Sequence, residues 1–151
     1  MLKKYKGTKT IYLFFLFFFL VTPFFAFSQP SGAYTPSKDS SERKEILNAL
    51  RSELKNSLKL DMVFVVGHFR VKDGWAWIET FPQSPDGKNH YDIISALLRL
   101  EKGEWRVVDF APGECSGDEE DSPDCDPEHL FKTFKSKYKA PQEIFPKTGT
   151  K

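Results

Sequence analysis

Residues 41–146 predict a single α+β domain. Three observations carry this: one uninterrupted amphipathic stretch near the start, four stretches of alternating β-branched and aromatic residues parted by Gly-containing turns, and a second amphipathic stretch near the end. Each element can be justified in chain order.

The first helix starts at Asp39, Ser40 or Ser41. Asp39 and Glu42 have the spacing of a capping box, and an acid in the first turn suits the positive end of a helix dipole. Ile46, Leu47, Leu50, Leu54 and Leu58 recur at helical spacing over about 18 residues. They form one apolar stripe, while Arg43, Lys44, Glu45, Arg51 and Lys55 face water. No Gly or Pro interrupts the run.

The period then changes from helical to alternating. Met62–Val66 is apolar and β-branched and continues through Gly67 to Val71, where the glycine predicts a bulge. Asp73-Gly74 supplies the positive φ of a tight hairpin turn. The return strand runs from Trp75 to Phe81. Trp75, Trp77, Glu79 and Phe81 share one face, and Ala76, Ile78 and Thr80 share the other. A polar loop over residues 82–90 leads to a third strand at Tyr91–Leu100. Glu101–Glu104 turns the chain into a fourth strand at Trp105–Phe110, completing an antiparallel meander. A second helix begins near Pro127 with Asp126 as its N-cap, and its apolar face is Leu130, Phe131, Phe134 and Tyr138. Ala140-Pro141 ends it, and Ile144, Phe145 and Pro146 form an apolar clip before a polar tail at 147–151. A helix wrapped by a curved four-stranded meander predicts a cystatin-like or NTF2-like roll, a fold that does not fix a function.

The start of the chain bears on compartment. Lys3, Lys4, Lys6 and Lys9 precede an apolar run from Ile11 to Leu20, and Ala26-Phe27-Ser28 closes it with a small-x-small triplet. This layout predicts a secretory signal peptide over residues 1–28, cleaved after Ser28. The competing reading, an uncleaved anchor, is disfavoured by Pro23 and by a run of marginal length. The expected location is therefore periplasmic or secreted, with membrane contact only through the leader before cleavage. Residues 29–40, rich in Pro, Ser and Gly, predict a flexible lead-in. Without the four leader lysines, the chain keeps 18 basic and 21 acidic side chains, a net charge of −3. That balance argues against nucleic acid as a partner.

Residues 114–128 hold eight acids and no base. Inside this segment Cys115 and Cys125 are the chain's two cysteines, and an isolated pair in an oxidising compartment predicts a disulfide. Such a bridge would contribute about 3 kcal/mol through loop closure. Asp118, Glu119, Glu120, Asp121 and Asp124 would then sit on a stapled loop, able to steer a basic protein partner. The competing readings are a solvated loop or a Ca²⁺ site, and the spacing departs from the EF-hand pattern. No cofactor or metal is expected, since His129 is the only histidine near the cysteine pair.

Four segments, RKEILNALR (43–51), DGWAWIE (73–79), LLRLEKGEWRVVD (97–109) and YKAPQEIF (138–145), together resemble a group of small exported, largely uncharacterised bacterial proteins. In that group a similar helix precedes a D-W-A-F-V-like strand. A leucine-rich strand, a Gly-x-Trp-x-Val-Val strand and a Tyr-x-x-Pro clip then follow in the same order. The resemblance implies a cystatin-like or NTF2-like domain and brings no catalytic residue or ligand. The acidic insert between Cys115 and Cys125 departs from it.

The residues support two functional readings, with a third beside them. The first is a non-enzymatic exported binding domain that engages a basic protein partner through the stapled acidic loop. The second is a small-molecule pocket, catalytic in one version, between the first helix and the concave face of the sheet, with Trp77 and Glu79 in its wall and Glu79 and Asp109 as candidate acid and base. A purely structural envelope role is the third. Exposed strand edges would permit a dimer, and oligomeric state is left open.

Overall fold

The computed structural model describes residues 31–59, 61–113 and 126–147. The leader expected over residues 1–28, both cysteines and Asp118, Glu119, Glu120, Asp121 and Asp124 lie outside the described residues. Helix α1 (Ser41–Leu58) leads into four strands, β1 (Val63–Lys72), β2 (Trp75–Gln83), β3 (Ile94–Glu101) and β4 (Glu104–Phe110). Helix α2 (Pro127–Tyr138) and a 3-10 turn (Gln142–Ile144) follow. The strands pair antiparallel in the order β1-β2-β3-β4, the expected meander.

Local chemistry accounts for the boundaries. The α1 N-cap is Ser40, whose Oγ accepts from Arg43 N at 3.2 Å. The capping box expected from Asp39 and Glu42 does not form, because both Glu42 carboxylate oxygens accept from the Tyr34 hydroxyl at 3.0 Å. Helix α2 has Asp126 as its N-cap, with its carboxylate accepting from Glu128 N at 3.0 Å. In the β1–β2 turn, Asp73 and Gly74 take φ values of 50° and 73°. Lys102 and Gly103 do the same between β3 and β4, at 52° and 84°. Two positive φ values in a two-residue loop give the turn whose twist matches that of the strands.

Gly67 is the bulge expected of it: the β1–β2 register shifts between Val66 and His68. A Cβ there would stand 2.8 Å from Cε2 of Phe81. A second bulge lies in the β3–β4 pairing, where Leu97 faces Asp109 but Leu98 faces Val107. Strand β3 starts at Ile94 rather than Tyr91. The preceding residues fold back on the end of β2 instead, with Tyr91 N donating to Pro82 O at 2.9 Å and His90 bridging Gln83.

The lead-in is fixed rather than loose from Ala33 onward. Tyr34 exchanges two backbone hydrogen bonds with Val71 at 2.9 and 2.7 Å, Thr35 Oγ1 donates to Phe69 O, and Pro36 is buried. These contacts cover the outer edge of the upper half of β1.

Alternation along the strands divides the core in two. On one face, Phe69, Val71, Ala76, Ile78, Ala96, Leu98 and Trp105 pack with Ile46, Leu50 and Leu54 of α1. On the other, Trp75, Trp77 and Leu97 pack with Phe131, Phe134, Ala140, Ile144 and Phe145. The sheet is therefore covered on both sides, by α1 on one and by the C-terminal segment on the other.

Candidate functional site

Trp77 and Glu79 occupy the face of the sheet opposite α1. This corrects the expectation of a pocket between α1 and the sheet with these residues in its wall. Trp77 is 1% exposed. Its ring lies edge-on to Phe131 at 5.5 Å and to Phe145 at 5.2 Å, and Phe134 is 5.6 Å away. The space such a pocket would need on this face is filled by the clip that follows α2. The physical reason is area: three phenylalanines on a short C-terminal segment bury more apolar surface against an indole than a solvated cavity would.

The polar groups bordering this aromatic layer are already paired. Trp77 Nε1 donates to Glu79 Oε1 at 3.1 Å. His68 stands opposite Glu79 across β1–β2, and its Nε2 donates to Ile144 O at 2.9 Å. This bond ties the clip to the sheet. Asp109 accepts from the Tyr138 hydroxyl at 2.7 Å, from Lys137 Nζ at 3.3 Å and from Phe110 N at 3.0 Å. Burial acts to raise the Asp109 carboxyl, but these three hydrogen bonds outweigh it and hold the group below its ordinary value. Lys72 pairs with Glu143 at the other end of the clip.

Glu79 and Asp109 do not form an acid–base pair. Glu79 faces Ser95 and Asp109 faces Leu97, so they stand on β2 and β4 with β3 between them. Two strand spacings across and two residues along β3 put them about 12 Å apart, and each carboxylate is engaged in holding the fold. His90 and His129 are exposed and distant in the chain from His68. Among the described residues no group of three His, Cys, Asp or Glu side chains is placed to hold a metal ion. No helix among them is long and apolar enough to cross a membrane.

The acidic segment leaves and rejoins the domain at fixed points. Ala111 N donates to Ser95 O at 2.9 Å just past β4, and Asp126 caps α2. Fourteen residues, 112–125, join these anchors.

One concavity was missed by the sequence reading. A groove of about 590 Å³ runs between α1 and the start of β4. Its helical wall is Glu45, Asn48, Ala49, Ser52, Glu53 and Asn56, and its strand wall is Gly103–Val107. The helical residues recur at i, i+4 spacing, the one signal visible in sequence. That the polar flank of α1 borders a strand edge follows only from how α1 crosses the sheet.

The fold and its surfaces define a class: one α+β domain, its sheet packed by α1 on one face and by the C-terminal segment on part of the other, with an open concavity along an edge strand. No family model matches the chain, and no curated protein or solved structure matches it either.

Proposed function

We propose that this protein is an exported, non-enzymatic binding domain that engages a basic protein partner through its acidic segment. The observation that carries this reading is the anchoring of that segment. Of the eight acids over residues 114–128, six lie between the end of β4 and the N-cap of α2, two elements locked into the sheet and the aromatic layer. Like charges tethered to a rigid frame steer a cationic partner and lose less entropy on docking than a free tail would. A Cys115–Cys125 bridge shortens the tether further. The filled aromatic layer around Trp77 supports this reading over a small-molecule pocket on that face.

The test is affinity capture from periplasmic and extracellular fractions with the purified protein as bait. The control bait carries Cys115→Ser, Cys125→Ser and Asn or Gln in place of Asp118, Glu119, Glu120, Asp121 and Asp124, with folding checked by circular dichroism. A basic partner retained by the first bait, lost by the control and eluted by moderate salt is the expected result. Capture of the same proteins by both baits, or of none, removes the acidic segment from the function.

A further inference from the structure

The groove between α1 and β4 has the parts of a strand-addition site. Strand β4 is an edge of the sheet. Among the described residues, the outer backbone groups of Glu104–Val107 pair with no other segment. Trp105, Val107 and Ala49 supply apolar lining, and Asn48, Ser52 and Asn56 line up on the flank of α1 with hydrogen-bonding side chains. The lining spans Glu45–Asn56 on the helix, about 16 Å at 1.5 Å per residue. On the strand it spans Gly103–Val107, about 13 Å. An extended segment of five or six residues fits that length.

Charge identifies the occupant. Glu45, Glu53 and Glu104 line the groove against one base, Arg106, and that base is paired with Glu104 at 2.8 Å. Glu45 and Glu53 have no ion-pair partner among the described residues. They stand two helical turns apart, about 12 Å. Alternate residues of a strand project to one side, so positions i and i+4 lie about 13 Å apart on that side. The two carboxylates therefore match cationic side chains spaced four residues apart on an added strand.

We propose that this groove binds an extended basic peptide segment, which adds to β4 as a fifth strand and sets two cationic side chains against Glu45 and Glu53. Main-chain pairing supplies the affinity common to strand addition, and the two carboxylates supply the preference for a basic sequence. The inference rests on the groove alone and does not require the acidic segment.

The probe is a capped heptapeptide, Thr-Lys-Val-Thr-Val-Lys-Thr, titrated into the purified protein with backbone amide shifts followed by NMR. Shifts centred on Glu104–Val107 are expected, with affinity reduced about five- to tenfold in Glu45→Gln/Glu53→Gln, since each exposed charge pair contributes modestly. Both positions are exposed, so the variant keeps the fold. N-methylation of the two valines should abolish binding, and Glu in place of both lysines should do the same. A third protein, neutralised at Asp118, Glu119, Glu120, Asp121 and Asp124, should bind as the unaltered one does, which separates this site from the acidic segment. Absence of binding at millimolar peptide overturns the proposal. So does binding indifferent to N-methylation or to Glu45→Gln/Glu53→Gln, or binding lost only in the third protein.

Discussion

Phe145→Ala tests whether the C-terminal clip is part of the core. Phe145 is 4% exposed, stacks on Phe131 at 4.9 Å and meets Trp77 edge-on at 5.2 Å. Truncating a buried phenylalanine costs about 3–5 kcal/mol in lost transfer energy and residual cavity. The aromatic pairs place this site toward the middle of that range or above it, since each contributes about 0.5–1.5 kcal/mol beyond its area. A loss of about 4 kcal/mol is a large part of the roughly 5–15 kcal/mol that holds a domain together. For a chain of this size it lowers the melting temperature by about 16 °C, at about 4 °C per kcal/mol. The control is Phe81→Ala on the same sheet face. Phe81 is 47% exposed and lies beyond the reach of the clip, so its loss should cost under about 1 kcal/mol. Urea unfolding followed by tryptophan fluorescence reads both variants, because Trp77 reports directly on the layer. Equal effects of the two substitutions, or a Phe145→Ala cost below about 1 kcal/mol, would refute the placement of the clip over Trp77.

Two further outcomes concern titration. Asp109 is held below its ordinary carboxyl value of 3.8, so the stability it contributes is fully present above that value and is lost as pH falls through the lowered one. Asp109→Asn should be less stable than the unaltered protein at neutral pH and should approach it as pH falls well below 3.8, by urea midpoints across pH. Tyr34 behaves in the opposite sense. Burial, followed by its hydrogen bond to Glu42, pushes the phenol up to about 12. Its stabilising effect is present below the ordinary phenol value and is lost as pH rises through about 12. Ultraviolet titration should show a late phenolate that disappears in Tyr34→Phe, and no difference between the two curves would remove the Tyr34–Glu42 contact.

Several features of the domain were legible in the residues themselves. The Ile46–Leu54 stripe, the Asp73-Gly74 turn, the bulge at Gly67, the alternation along Trp75–Thr80 and the Asp126 cap are local. Each depends on side-chain periodicity or on the φ preference of one or two residues, and each appears in the structure as expected. The Ser40 cap was legible only as one of three starting points, because the choice turned on Tyr34 drawing Glu42 away.

Only the tertiary structure decided which layer covers which face. The pattern Trp75, Trp77, Glu79 states that these side chains point the same way, but not that the way is opposite α1. Placing the clip over Trp77 takes long-range contacts, such as His68 to Ile144 and Asp109 to Tyr138, whose partners are far apart in the chain. The groove has the same origin. Glu45, Asn48, Ser52, Glu53 and Asn56 read in sequence as an ordinary solvated flank, and they become the wall of a concavity only because the crossing of α1 brings them beside β4. Periodicity fixes the face on which a side chain lies, while burial of area between distant segments chooses what that face meets.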